Sequence, residues 1–544
     1  MDFEQPQAPK KTNVFLPIIL SFVLILGIWL GYFLKQRVGG GPSTSQYYKA
    51  TPKDKVNSLL DFIEYQYVDT IDKKDLVEKT VTAMLQSLDP HSSYIPASEF
   101  AEVNEPLEGN FDGIGIEFNI IKDTIRVVTT IQGGPSDKIG VKSGDKLIKV
   151  DGKNVAGVKI TNKEVFGKLR GVHGSTVIVT VLRTGVAKPL EFKIIRDAIP
   201  LYSLDASYLV APEVGYIKIS KFAATTYDEY LKAFNALSKQ GMKKLILDLR
   251  GNPGGYLNAA VDISDEFLTN GLQIVYTQGK ANPKKVYKAT ERGSFENKGL
   301  AILIDEGSAS ASEIVAGAIQ DNDRGTIIGR RSYGKGLVQD QLQLPDGSAI
   351  RLTIARYYTP TGRCIQKPYT DDKEEYYGEE YTRYAHGELL NADSVKLDKT
   401  KQYKTPEGRI VYGGGGIMPD VFVPVDTSKV NPFLNKVFYA GTINTFAFEY
   451  TDNNRGKLKA YSSAKNYIDE FEVGQSLLSE FYVYCAKQNL KPENISKEKT
   501  NEALKPYLKA LIGRNLFDKE AYYPIINKND KCILKAVEVL TMTK

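Results

Sequence analysis

Histidine, cysteine and tryptophan are scarce in this chain of 544 residues, at three, three and one. The histidines, His91, His173 and His386, fall in a helical N-terminal stretch, a β-rich stretch and a polar insertion, and none adjoins a strand end of the α/β segment. A Ser-His-Asp triad is therefore not expected. Cys364, Cys485 and Cys532 form no CxxC pair and have no metal-ligand spacing, which excludes a zinc site and a disulfide framework; buried free thiols are expected in preference to a Cys485–Cys532 bridge. Charge of one sign is also lacking: 71 Lys and Arg stand against 65 Asp and Glu, and the net +6 is spread along the chain, so nucleic acid is not an expected partner. GxGxxG spacing is absent, which excludes a dinucleotide site.

Long apolar runs are missing except for one. Residues 14–34 carry no charge for 21 positions, enough at about 1.5 Å per residue to cross a hydrocarbon core of about 30 Å. The run is too long for a signal peptide and lacks a small-x-small cleavage site, so an uncleaved anchor is expected. Lys10 and Lys11 on one flank balance Lys35 and Arg37 on the other, leaving orientation open. Residues 39–45, rich in Gly, Pro and Ser, read as part of a tether over 35–52.

The remainder divides by periodicity. Residues 53–98 carry apolar positions at helical spacing (Val56, Leu59, Leu60 and Ile63, then Leu76, Val77, Val81 and Leu85), predicting two helices. Short alternating runs at 115–118, 124–128, 146–150 and 176–182, punctuated by glycine, predict a β-rich module over 99–197. Its order, Gly113-Ile114-Gly115-Ile116, Gly134-Pro135-Ser136 and the stretch from Gly140 to Gly152, resembles a PDZ domain. Backbone N–H groups at Gly113, Ile114, Gly115 and Ile116 would then hold a peptide carboxylate beside a strand edge. From 198 to 426, strand-like runs (214–219, 244–249, 301–304, 326–328, 350–355) alternate with helical ones (226–238, 259–267, 312–321), predicting an α/β domain. A polar insertion spans 367–409, and 427–544 reads as a separate helical extension.

Two segments of the α/β domain suit nucleophilic chemistry. In Gly307-Ser308-Ala309-Ser310-Ala311-Ser312-Glu313 small residues mark a strand-to-helix junction, where a hydroxyl can sit beside free helix N-terminal amides. In Tyr333-Gly334-Lys335-Gly336-Leu337-Val338-Gln339 a lysine lies between glycines that permit close approach. Lysine can replace histidine as the base if burial lowers its pKa by about 3 units, at a cost of about 4 kcal/mol. A third segment, from Leu247 through Asp248, Arg250 and Gly251 to Gly254, Gly255 and Tyr256, is a strand followed by a glycine turn able to present bare amides.

Together these segments resemble the C-terminal processing (tail-specific) peptidase family over about residues 53–424. The resemblance implies Ser310 as nucleophile, because in the family pattern that serine precedes Ala-Ser-Glu and lies 25 positions before the lysine; Ser308 and Ser312 do not fit. It implies Lys335 as the base, Gln339 orienting its amine, and an oxyanion hole from Gly254 or Gly255 with Ala311. It further implies an α+β multidomain chain: a cytoplasmic N-terminus (1–13), a transmembrane helix, a helical region, a PDZ domain, an α/β (crotonase-like) protease core and a helical extension. The implied activity is serine endopeptidase cleavage, without cofactor or metal, of extracytoplasmic proteins whose free, apolar C-termini dock on the PDZ domain. The family setting places residues after Lys35 outside the cytoplasm, on the periplasmic side where an outer membrane exists, and leaves open a homo-oligomer or an adaptor protein. The competing reading, a non-catalytic PDZ scaffold, would require a missing Ser310, Lys335 or Gln339, and all three are present.

Overall fold

A computed structural model describes residues 15–38, 55–370, 372–427, 431–492 and 496–542. The expected N-terminus 1–13, and the tether from residue 39 onward, lie outside them.

The chain divides after Leu85 into two units. In the first, Phe15–Val38, Lys55–Gln66 and Lys73–Gln86 are helices. The last two are joined by Lys73, whose Nζ lies 2.8 Å from Asp61 and 2.7 Å from Glu64. Among the described residues no helix is long and apolar enough to cross a membrane. The structure therefore does not show the anchor expected over 14–34: residue 14 and the side chains of Leu16 and Leu34 are outside what is described.

The second unit is built on a six-stranded sheet in the order Leu204–Ala211, Val214–Ile219, Lys244–Asp248, Gly299–Ile304, Thr326–Gly329, Val421–Phe422. Its first pair is antiparallel and the rest are parallel. Parallel strands are normally buried on both faces, so their sequences read as apolar runs. One face, with Ile217, Leu245, Leu247, Ile302 and Ile304, packs with Phe234, Ile263 and Val315 from the helices Thr226–Lys239, Leu257–Asp265 and Ala311–Asp321. The other presents Tyr216, Ile246, Ala301 and Leu303 to Cys532, Ile533, Ala536 and Leu540 of Lys531–Met542. The extension is thus not wholly separate. The helices from Pro432–Tyr439 to Lys519–Asn527 enclose a core of their own around Phe446, Tyr467 and Phe481, while the last helix covers a sheet face that would otherwise meet water.

A second sheet runs Ser93–Ile95, Ala349–Tyr358, Gln273–Gln278, Lys285–Lys288, with Leu337–Gln343 also paired to Ala349–Tyr358. Residues 93–95, expected in the helical region, are therefore a strand of this unit. The run at 350–355 belongs to this sheet and not to the parallel one. The β-rich module is an antiparallel sheet of Ile116–Ile120, Ile125–Thr130, Lys146–Val150, Thr176–Leu182 and Leu190–Ile195, entered and left through the paired strands Asn110–Gly113 and Asp197–Pro200. In the insertion, Lys373–Ala385 is a helix and Gln402–Lys404 pairs with Ile410–Tyr412. Cys485 and Cys532 are buried free thiols and Cys364 is a half-buried one.

If the last helix is part of the core, Ile533→Ala should lower stability by about 2–5 kcal/mol, the range for emptying a buried isoleucine site. Urea unfolding of the full chain checks this. An unchanged midpoint would mean that the helix only rests on the sheet.

Candidate active site

The helix Ala311–Asp321 begins at Ser310, whose φ of 53° and ψ of −112° lie outside the regions ordinary for a residue with a side chain. A conformation of this kind costs roughly 1–3 kcal/mol and persists only where the surroundings over-determine it. Glu313, one turn into the helix, is the main constraint. Its fully buried carboxylate accepts from the amides of Ser310 (2.8 Å), Gly334 (2.7 Å) and Lys335 (2.9 Å) and from the Ser332 hydroxyl. Burial pushes its pKa up to about 7, against the pull of these donors. Tyr357, also buried, bridges the same loops from the carbonyl side: its hydroxyl donates to the carbonyls of Ser310 (3.1 Å) and Lys335.

Lys335 Nζ donates to Gln339 Oε1 at 2.9 Å, and Gln339 Nε2 donates to the His91 carbonyl at 2.5 Å. Burial, followed by the positive charge of Arg351, lowers the Lys335 pKa, with Glu313 and Asp89 opposing. The three serines are not equivalent. Ser308 and Ser312 are fully buried, and their hydroxyls donate to Leu249 O and Asn252 O, each at 2.9 Å. Ser310 is half-buried and lines, with Gln339, Gly255, Tyr256, Ile314 and Val338, a cleft of about 1030 Å³.

The turn 251–255 is held against the serine by Asn252, fully buried. Its side-chain amide donates to Ile219 O at 3.0 Å and its carbonyl accepts from Ala309 N at 2.9 Å. Glycine is required where the turn passes Phe222: at Gly255 (φ 146°) a Cβ would lie 2.1 Å from the Phe222 carbonyl oxygen. The Gly254 amide donates to Asn252 Oδ1 at 2.8 Å, which removes it from the expected oxyanion donors. The amides of Gly255 and Ala311 carry no hydrogen bond among the described residues. Upstream, Asp248 is fully buried; burial opposes its charge, yet Arg250 and Lys218 outweigh it and hold the pKa at about 2. Arg250 also pairs with Asp530 at 2.9 Å.

In the β-rich module Ile114 is buried and its carbonyl accepts from Ser136 N and Oγ. The amides of Ile114 and Gly115 carry no hydrogen bond among the described residues, and Ile116–Ile120 is an edge strand, paired only with Ile125–Thr130. Gly113 ends the strand before this loop, paired with Asp197.

The sequence profile of peptidase family S41 matches residues 213–374, which include Ser310, Lys335 and Gln339, and a PDZ domain profile matches 126–183. A carboxy-terminal-processing protease of Bartonella bacilliformis is 39% identical over 317 residues, 57% of this chain and 72% of that one. The carboxy-terminal processing proteases CtpB and CtpA of Bacillus subtilis are 34% and 35% identical over 352 and 315 residues, 63% and 58% of this chain and 72% and 66% of theirs. The chain belongs to the carboxy-terminal processing proteases of peptidase family S41. The protease also matches, over 433–518, a family of unknown function.

Three residues that hold the site were not singled out from the sequence of the protease. Glu313 had a signal, since a serine followed three positions later by glutamate is a capping box. Asn252 and Tyr357 had none, because the partners through which they tie the loops together lie 33 to 60 and 22 to 47 residues away. Nor does His91 stay clear of the site as expected: the loop that carries it delivers a carbonyl to Gln339.

Glu313→Gln replaces an acceptor by an amide whose NH2 faces other donors, so two or more charge-assisted hydrogen bonds are lost. We expect kcat/KM to fall by about 100-fold or more, with far-UV circular dichroism unchanged. Near-normal kcat/KM would show that the clamp does not set the active geometry.

Proposed function

We propose that Ser310 and Lys335 are the catalytic pair of this protease. Ser310 Oγ attacks the scissile carbonyl while Lys335 takes its proton, then returns it to the departing amine; water, deprotonated by the same lysine, releases the acyl group from Ser310. The observation that carries this reading is that one carboxylate and one phenol, Glu313 and Tyr357, bind both the Ser310 and the Lys335 backbone, while Ser308 and Ser312 are spent on buried carbonyls. Gln339 orients the lysine amine, and the Gly255 and Ala311 amides stabilise the oxyanion. The free amides of Ile114 and Gly115 bind the terminal carboxylate of a peptide laid along Ile116–Ile120.

Residues 14–34 support a membrane tether, and the family resemblance favours a catalytic part outside the cytoplasm acting on extracytoplasmic proteins with apolar tails. Alkaline carbonate washing of membranes tests the tether, and release of the intact chain would refute it.

Ser310→Ala and Lys335→Arg should both abolish cleavage with the fold retained, since arginine keeps the charge but cannot serve as a base near neutral pH. Turnover by Lys335→Arg would overturn the mechanism.

For tail recognition, a peptide with a free carboxylate should be cut about five- to 150-fold faster than its amide, the equivalent of one charge-assisted hydrogen bond of about 1–3 kcal/mol. Equal rates would mean that the loop at 113–116 does not select substrates.

A further inference from the structure

The polar insertion 367–409 has no role in the chemistry so far described, yet its helix Lys373–Ala385 runs along the loops that carry Lys335 and His91. Arg383, buried, donates to the carbonyls of Arg331 (2.6 Å) and Ser332 (3.1 Å) and pairs with Glu388, which in turn holds Arg331. Glu379 pairs with Lys367, and the Lys367 amide donates to Gly334 O at 2.9 Å. Just before the insertion, Gln366 accepts from the Gly336 amide at 2.8 Å. The lysine loop 331–336 is therefore enclosed by groups from this part of the chain.

The first turn of the same helix reaches His91, whose carbonyl holds the lysine's partner Gln339. The Tyr376 hydroxyl lies 2.8 Å from His91 Nε2, with the two rings edge to face at 5.4 Å. Tyr377 donates to Pro90 O, and Lys373 Nζ lies 3.5 Å from Asp89 O. From the opposite side Asp89 binds the amides of His91 and Ser92 and the Thr353 hydroxyl. The loop 89–92 is thus fixed between the protease sheet and the insertion helix, and His91 O is the acceptor that decides which way the Gln339 amide faces. With Nε2 committed to His91, only Oε1 can meet the lysine amine.

We propose that Tyr376, supported by Tyr377, is a positioning residue for peptide hydrolysis: through His91 it fixes the Gln339 amide and keeps water from the Lys335 amine. The proposal rests on the Ser310–Lys335 reading. Removing the Tyr376 hydroxyl leaves His91 Nε2 without its partner in a half-buried place, a loss relieved by moving the loop toward water. His91 O then leaves Gln339, and the amine is rehydrated. Burial is the first cause of the lowered Lys335 pKa, so rehydration returns it upward. The charged and titratable groups facing the amine are Arg351, Glu313, Asp89 and His91; burial, then the positive charge of Lys335, pushes His91 down to about 4, so it stays neutral in the range tested.

The test is the pH profile of kcat/KM for the full-length protease in detergent, with an unstructured peptide ending in a free apolar residue, from pH 6 to 9.5. Tyr376→Phe and Tyr377→Phe are compared with wild type and with Tyr381→Phe, a control at an exposed position on the same helix. Tyr376→Phe should move the acid limb upward by about 0.5–1 pH unit, so that a loss of about three- to tenfold at pH 7 shrinks to less than about twofold at pH 9.5; Tyr377→Phe should shift it the same way by less. Tyr381→Phe should match wild type. A loss of equal size at every pH, as from a purely structural defect, or an unaltered limb in both variants, overturns the proposal. Turnover by Lys335→Arg would instead overturn the reading beneath it, so the two failures are distinguishable.

Discussion

A single buried carboxylate sets the geometry on which the protease depends. Glu313 lies inside the unit with no cation bound to it among the described residues, and its two oxygens are occupied by three backbone amides and a hydroxyl from two loops. Uncompensated, a buried charge of this kind would be expelled or protonated. Its hydrogen bonds offset part of the desolvation, leaving the pKa raised, and also hold Ser310 in a backbone conformation that a free chain would avoid. Tyr357 repeats the linkage through the carbonyls. The serine and lysine loops, 25 residues apart in sequence, are therefore held together by shared hydrogen bonds to one carboxylate and one phenol.

The same economy extends outward along the parallel sheet. Its central strand Lys244–Asp248 ends in Asp248, neutralised by Arg250, and Arg250 is shared with Asp530 at the start of the last helix. The residues that cover the far face of the sheet are thus tied to the turn that presents Gly255. Farther out, the C-terminal region meets the PDZ domain through the Arg455–Ser143 hydrogen bond (2.8 Å) and the pairs Lys122–Glu449 and Arg514–Glu117. An exposed pair such as Arg514–Glu117 is worth at most about 1 kcal/mol, far less than the buried apolar contact of the last helix. The two ends of the extension differ accordingly, one joined through polar contacts, the other part of the core.

Much of this was legible in the chain itself. Strands 146–150 and 176–182 fall where the alternation puts them, since period two against one buried face leaves little freedom of register. The parallel strands show as apolar runs for the complementary reason. Ser310, Lys335 and Gln339 are picked out by the resemblance of two short motifs to the family pattern, which needs no distant contact to be noticed. The 21 uncharged residues near the N-terminus likewise need only composition to be noticed.

What sequence could not settle was how partners, near or distant along the chain, meet in space. The Gly254 amide is occupied because the Asn252 side chain, two residues before it, folds back on it, a matter of turn geometry that composition does not encode. His91 comes to the lysine because Ser93–Ile95 pairs with Ala349–Tyr358, a register fixed only once that sheet forms. The last helix belongs to the sheet because a parallel sheet needs cover on both faces, and the segment that supplies it lies more than 200 residues beyond the strands it first meets. Local periodicity thus determined the elements, and short motifs the candidate side chains, while burial and hydrogen-bond satisfaction, which count partners in space, decided how those side chains are held.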